Sequence, residues 1–290
     1  MNKYLIAGVK CMINFHHKEF FDSRLKEYET SFLDEEVEFK MDSIINNDIK
    51  DEEGVIIIES QIAKCVLDKN GIYHYIKYKN LEKFICLKMS YTKDYSYVKI
   101  EQIDHPHKYL SLVDREYVYT NQAFINRVVY LGGVMIHSSC ISYKDKAILF
   151  SADSGTGKST HTGLWKELYK DDVKFINDDK PIIRLVNDEV IAYGTPWSGK
   201  TDLNSNINAP LKGIVILKRG VNNEIRKVSL NEVIKEVFAN IIIPTENKEI
   251  ASLALNVYNK ILTKVPLYEL KCNISLDAPR VVKNEVFKDE

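Results

Sequence analysis

The first part of the chain, up to about residue 110, has the apolar–polar pattern of β-strands. Alternating positions and one continuous apolar run predict strands at residues 36–41, 55–58, 82–89 and 97–103. Asn70 and Gly71 stand between two further apolar runs, where an Asn-Gly pair favours the tight turn of a β-hairpin. We therefore predict a β-rich N-terminal domain over residues 1–115.

The second part, residues 116–290, alternates strands with helices. Helices are predicted at residues 121–130, 158–169, 229–241, 249–263 and from 277 onward. Strands are predicted at residues 134–143, 146–150, 173–177, 213–218 and 267–272, with a hairpin over 181–192. The first helix is expected to be capped by Thr120 and ended by Gly132 and Gly133. This alternation predicts an α/β (α+β) fold with a mixed sheet.

Composition and charge describe an ordinary globular protein. The chain has 290 residues, 45% hydrophobic and 28% charged, with a formal net charge of −1. This balance gives no reason to expect nucleic acid or an anionic membrane as a partner. No apolar run approaches the roughly 20 residues of a spanning helix, and the first residues do not resemble a signal peptide. The five scattered cysteines form no Cys-x-x-Cys pair, which predicts free thiols and a cytoplasmic protein.

Residues 149–160, LFSADSGTGKST, combine a strand end, a glycine-rich turn and a helix start. This order is typical of a P-loop, whose backbone N–H groups point at phosphate oxygens. The expected nucleotide contacts are Ser154, Gly155, Thr156, Gly157, Lys158, Ser159 and Thr160. Lys158 would reach the β- and γ-phosphates, and the Ser159 hydroxyl would bind Mg²⁺. Ala152 replaces the first motif glycine, which requires a negative φ there. The alternative is a Gly-Ser turn without a ligand.

Asp178 and Asp179 follow an apolar strand, about twenty residues after the loop lysine. P-loop proteins place a Mg²⁺-organising carboxylate at such a strand end. Two successive acids suggest a division of roles. One would bind Mg²⁺, for which we name Asp179 together with Ser159, and the other would accept a proton from an attacking hydroxyl. Which of the two acids is the base stays open, and a solvated Asp-Asp turn is the alternative.

Other candidate residues flank these two motifs. His137 lies on the strand before the loop strand, either as a catalytic group or as a core histidine. Residues 194–200, GTPWSGK, form a turn-rich loop in which Trp197 would stack on a ligand and Lys200 would clamp an anion. A packing tryptophan in an exposed loop is the alternative. His161 and Trp165 share one face of the helix after the P-loop, and we expect them to pack in the core.

Residues 137–139 (HSS), 149–159 (LFSADSGTGKS) and 177–180 (NDDK), in this order, resemble the C-terminal domain of the HPr kinase/phosphorylase family. That family shares its P-loop fold with phosphoenolpyruvate carboxykinase, and the similarity covers about residues 130–220. The resemblance implies that the loop lysine and serine hold nucleotide phosphates and Mg²⁺. It also implies that the acid pair supplies a metal contact and the base, and that the histidine takes part. No signature for phosphorolysis is found, and the chain looks too short for a carboxykinase, so neither activity is inherited.

The loop, the acids and the resemblance together lead to the hypothesis of a Mg²⁺-dependent kinase. ATP, or another nucleotide or phosphate donor, would transfer a phosphoryl group to a serine-type hydroxyl of a protein, a peptide or a small molecule. The first domain would recognise this acceptor or a partner. Whether the protein forms a homo-oligomer stays open. The alternatives are a nucleotide-gated binding or regulatory protein that transfers no phosphate, and a structural adaptor with a vestigial loop.

Overall fold

The computed structural model describes residues 1–79, 83–105, 109–199, 202–244 and 248–288. These residues form two sheets, each with parallel and antiparallel strand pairs, and six α-helices, so the predicted α/β class is confirmed. The chain divides into two compact units, Met1–Leu131 with Pro244–Leu253 and Gly132–Ile243 with Ala254–Glu290. Within the described ranges, no helix is both long enough and apolar enough to cross a membrane.

The first unit is built around an eight-stranded sheet. Its strands are β1 (Asn2–Ile6), β2 (Val9–Asn14), β3 (Phe39–Ile45), β4 (Val55–Glu59), β5 (Ala63–Leu67), β6 (Tyr73–Tyr78), β7 (Ile85–Tyr91) and β8 (Tyr97–Gln102). They lie in the order β1-β2-β3-β8-β7-β6-β5-β4, accompanied by helices α1 (Lys18–Leu25) and α2 (Leu112–Tyr130). The predicted hairpin is confirmed, because β5 and β6 pair antiparallel across a turn in which Gly71 has a φ of +79°.

Helix α2 begins at Leu112, well before its predicted start. Ser111 is the N-cap: its hydroxyl accepts a hydrogen bond from the Asp114 N–H at 3.1 Å, and the Asp114 carboxylate accepts one from the Ser111 N–H. Thr120, the predicted cap, lies inside the helix, where its hydroxyl donates to the Glu116 carbonyl. The predicted start was wrong because the reciprocal capping box of Ser111 and Asp114 satisfies backbone N–H groups at the N-terminus, so the helix already begins at Leu112.

The second unit contains a ten-stranded sheet. Its strands are β9 (Gly133–Ile136), β10 (Ser138–Tyr143), β11 (Lys146–Ser151), β12 (Val173–Asp179), β13 (Ile182–Val186), β14 (Glu189–Tyr193), β15 (Asn208–Arg219), β16 (Glu224–Val228), β17 (Ile241–Ile242) and β18 (Leu267–Cys272). Eight strands follow the order β12-β10-β11-β15-β14-β13-β9-β17, and β18 pairs with β15 and β16. The remaining helices are α3 (Lys158–Tyr169), α4 (Leu230–Asn240), α5 (Lys248–Lys264) and α6 (Asp277–Val286). The elements predicted for this part are found, except that the strand over residues 134–143 is divided into two, and several ends differ.

The core of the second unit lies on both faces of its sheet. On β11, Ile148 and Phe150 belong to one apolar cluster and Leu149 to the other, because successive side chains of a strand alternate between faces. Trp165 of α3 packs in the first cluster and Tyr258 of α5 in the second, and all five side chains are buried. Packing on this face holds helix α3 beside the strand that leads into it.

The predicted strand over residues 134–143 is interrupted at His137. β9 pairs with β13 and β17, whereas β10 pairs with β11 and β12. The His137 N–H donates to the Asn240 carbonyl at 2.8 Å instead of joining either ladder. The prediction failed here because the two strands have different neighbours, and the residue between them takes its partner from elsewhere. The His137 side chain is left 41% exposed.

Candidate functional site

The turn between β11 and α3 has the backbone geometry of a phosphate-binding loop. Gly155 and Gly157 have φ angles of +76° and +118°, a region that other residues enter only with steric strain. Gly157 is the N-cap of α3 and has no side chain to cap the helix, which begins at Lys158. The first N–H groups of a helix have no partner within it, and with the helix dipole they favour an anion at this point.

Ala152 fills the position of the missing motif glycine without backbone strain. Its φ is not positive, as the sequence required, and the residue is only 3% exposed. The Ala152 carbonyl accepts a hydrogen bond from the Lys158 ammonium at 2.9 Å. Burial lowers the pKa of Lys158, while the charges of Asp179 and Asp178 oppose that shift. The loop lysine therefore lies across the turn, within electrostatic reach of both acids.

Asp178 and Asp179 end strand β12 and lie opposite the start of β10. The register pairs Ser139 with Asp178 and Ser138 with Asp179. Neighbouring residues of a regular strand point to opposite faces, but Asp179 has a φ of +141°, which is rare for a residue with a side chain. Both acids consequently line the same cleft. Such a conformation persists only where the surrounding structure fixes it.

Asn177, Thr195 and Gly199 fix the chain around the second acid. Asn177 Nδ2 donates to the Thr195 carbonyl at 2.9 Å and to its hydroxyl at 3.1 Å, and Asn177 Oδ1 accepts from the Lys180 N–H at 2.7 Å. A Cβ built on Gly199 would lie 2.9 Å from the Asp179 Cβ, so this glycine permits close packing. These three positioning residues were not predicted; the only signal was their place beside the acid pair and in the GTPWSGK loop.

Asp179 lies between a histidine and a lysine. His137 Nε2 is 3.3 Å from Asp179 Oδ1, and Lys180 Nζ is 3.6 Å from Asp179 Oδ2. Burial lowers the pKa of His137, the charge of Lys158 lowers it further, and Asp179 opposes these effects. The imidazole is therefore mainly neutral at neutral pH. Of the two interpretations left open by the sequence, a core histidine does not describe its position.

A cleft of about 590 Å³ brings most of the predicted site residues together. It is lined by His137, Ser138, Ser154, Gly155, Gly157, Lys158, Ser159, Thr160, Asp178, Asp179 and Gly199. Thr156 lines a neighbouring cavity instead, and Lys200 lies outside the described residues. Ser138 was not predicted, because it reaches the cleft through the pairing of β10 with β12. The phosphate loop, the acid pair and the histidine thus share one surface.

The two tryptophans of this region are both fully buried. Trp197 therefore packs inside the unit, and the prediction that it stacks on a ligand was wrong. Its loop also differs from the exposed alternative, since Thr195 and Ser198 are buried as well. Trp165 belongs to a buried apolar cluster, which confirms that it packs in the core, and His161 is buried beside it on α3.

Mg²⁺ would find only oxygen ligands at the predicted metal residues, namely the Ser159 hydroxyl and the Asp179 carboxylate, with the Asp178 carboxylate nearby. Hard oxygen donors suit Mg²⁺, which usually binds through one or two carboxylates together with substrate phosphates and water. In the part of the chain that the structure describes, no three His, Cys, Asp or Glu side chains are grouped to hold a metal. The oxygen donors themselves suit a Mg²⁺ that is also bound by phosphate oxygens.

No protein-family model matches the chain, and no curated protein matches it. Among solved structures, the chain is similar to the HPr(Ser) kinase/phosphatase from Coxiella burnetii, with 13% sequence identity and a TM-score of 0.31. That similarity covers 53% of this chain and 92% of the other.

Proposed function

We propose that this protein is a Mg²⁺-dependent kinase that transfers the γ-phosphoryl group of ATP to a hydroxyl of a protein, a peptide or a small molecule. The proposal is carried by one cleft in which Lys158 and the phosphate loop meet Asp178 and Asp179. Phosphoryl transfer asks a protein mainly to position the reactants and to neutralise charge. A protein that only bound nucleotide would not need a second carboxylate beside the metal.

A role follows for each side chain of the cleft. The loop N–H groups would bind phosphate oxygens, and Lys158 would neutralise charge on the β- and γ-phosphates. Mg²⁺, held by Ser159 and Asp179, would supply further neutralisation. Asp178 would take the proton of the acceptor hydroxyl. The hydroxyl oxygen would then bond to the γ-phosphorus while the bond from that phosphorus to the leaving oxygen of ADP breaks. His137 would orient Asp179 through the 3.3 Å contact between Nε2 and Oδ1.

Replacement of the loop lysine tests this proposal. ATP and ADP, each with Mg²⁺, are titrated calorimetrically into wild type and Lys158→Ala, and transfer from ATP is screened with free serine and serine-ended peptides. We expect the variant to bind about tenfold or more weakly, because a hydrogen bond to a charged group contributes roughly 1.5–3 kcal/mol. Lys174→Ala is the matched control, since Lys174 is an exposed lysine of β12 outside the cleft.

Each other outcome points to a different function. Phosphate transfer that survives in Lys158→Ala would contradict the proposed mechanism. Nucleotide binding by wild type without transfer to any acceptor would favour the nucleotide-gated regulatory protein. No nucleotide binding by wild type would favour the structural adaptor.

A further inference from the structure

A second cavity, of about 470 Å³, adjoins the phosphate loop. It shares Gly155, Gly157 and Thr160 with the cleft that holds the acid pair. Its other walls come from α3, from the end of β15 and from the residues that follow β18. A ligand whose phosphates bind the loop can therefore extend into this cavity without leaving the protein surface.

The walls of the second cavity combine aliphatic side chains with two cations, Lys218 and Arg219. Leu164, Leu217 and Ile274 are aliphatic, whereas no Leu, Ile or Val lines the cleft beside the acid pair. Arg219 also lines the cavity, and its Nη2 donates to the Gly155 carbonyl at 2.8 Å, which holds the guanidinium against the phosphate loop. The cavity thus offers apolar contact away from the loop and positive charge next to it.

His161 lines the same cavity and carries an unused hydrogen-bond donor. The residue is 3% exposed, and its Nε2 accepts a hydrogen bond from the Trp165 indole N–H at 3.2 Å. Burial lowers the pKa of His161 to about 4, so the ring is neutral and its proton lies on Nδ1. Nδ1 is buried and has no hydrogen-bond partner among the described residues. A donor in this position costs free energy unless a ligand or water supplies an acceptor.

We propose that the second cavity takes the nucleoside part of the phosphate donor, with a base nitrogen or ribose oxygen as the acceptor for the His161 N–H. This inference rests on the proposed function and deepens it, because it makes the donor a nucleotide and not inorganic pyrophosphate. A nucleobase has apolar faces, which suit Leu164 and Ile274, and polar atoms along its edge, which suit His161. The cleft beside the acid pair then remains available for the γ-phosphate and the acceptor hydroxyl.

Inorganic tripolyphosphate provides the test, since it offers three phosphates without a nucleoside. Mg²⁺ with ATP and Mg²⁺ with tripolyphosphate are titrated into wild type, Leu164→Trp and Ile274→Ser. The larger side chain of Leu164→Trp would occupy part of the cavity, whereas Ile274 is 81% exposed and can be replaced without loss of core packing. Val221→Ser is the matched control, because Val221 is 88% exposed and does not line the cavity.

We expect wild type to bind ATP more tightly than tripolyphosphate. Leu164→Trp should weaken ATP binding by about tenfold or more, as pocket misfits of even one methylene do, and should leave tripolyphosphate binding unchanged. Ile274→Ser should weaken ATP binding several-fold, and Val221→Ser should not. Equal affinity of wild type for both ligands, or unchanged ATP binding in both cavity variants, overturns this inference and leaves the kinase proposal standing. If wild type binds neither ligand, the kinase proposal falls and the inference falls with it.

Discussion

His137 Nε2 lies 3.3 Å from Asp179 Oδ1, although the two residues come from different segments of the sheet. The antiparallel pairing of β10 with β12 sets Ser138 opposite Asp179 and so brings the preceding histidine to the carboxylate. Burial and the charge of Lys158 lower the pKa of His137, so at neutral pH this contact joins a neutral ring to the acid. The position of Asp179 therefore depends on a group that gains a proton in acid.

Activity should fall in acid as His137 is protonated, because a cationic imidazole beside Asp179 would compete with Mg²⁺ for the carboxylate. Because its pKa is lowered, we expect the acid limb of kcat/KM below about pH 6.5, the ordinary histidine value. His137→Asn should remove this limb and lower kcat by roughly 10–100-fold, as loss of a residue that orients a metal ligand commonly does. The pH profiles of kcat and of kcat/KM for the acceptor, measured on wild type and His137→Asn with nucleotide and Mg²⁺ saturating, check this. An unchanged acid limb in the variant would show that another group controls it.

The roles of Asp178 and Asp179 should be distinguishable when each is replaced by the isosteric amide. Asp179→Asn should raise the Mg²⁺ concentration needed for half-maximal activity, because a neutral amide is a poorer ligand for a hard cation. Asp178→Asn should lower kcat by about 10²–10⁴-fold with little change in that concentration, as expected for loss of a general base. Mg²⁺ titrations of turnover at fixed ATP give both quantities. The reverse pattern would exchange the roles of the two carboxylates.

Local features of the site could be predicted from the sequence, and its long-range contacts could not. The loop before Lys158 was visible because a glycine-rich motif and a helix start occupy consecutive residues. The start of α2 was missed because Ser111 was not recognised as a cap, although its partner Asp114 lies three residues further along. Gly199 reaches Asp179 only through the path of the folded chain, which no spacing within GTPWSGK reveals. The mixed sheet was expected as a class, but its strand order depends on pairings between distant segments.

Gly199→Ala should damage the site as well as the fold. Gly199 has a φ of +67°, and an added Cβ would lie 2.9 Å from both the Cβ and Oδ2 of Asp179. The left-handed backbone alone costs an alanine about 1–2 kcal/mol, and the contact must also displace the carboxylate, so kcat should fall. Gly71→Ala is the control, since Gly71 has a φ of +79° and open space around its added Cβ. Urea unfolding and turnover of both variants check this; equal activity of the two would show that Gly199 does not position Asp179.

His161 should make the protein lose stability in mild acid. The unfolded chain takes up a proton at this residue near pH 6.5, whereas the folded protein does so only near pH 4, because burial opposes the charged ring. Between these values the unfolded state binds more protons, so the free energy of unfolding falls as the pH falls, and the loss is complete below the lower value. Over the whole window it amounts to about 3 kcal/mol at most, at roughly 1.4 kcal/mol per pH unit.

Urea unfolding at about pH 7 and pH 5 measures this effect. His161→Gln keeps a polar side chain that can accept from the Trp165 indole but cannot be protonated in this range. We expect this variant to lose about 2 kcal/mol less stability than wild type between the two conditions. His16→Gln is the matched control, because it makes the same substitution at an exposed histidine. If His161→Gln loses as much stability as wild type, the acid sensitivity belongs to other groups, and a neutral buried His161 no longer explains it.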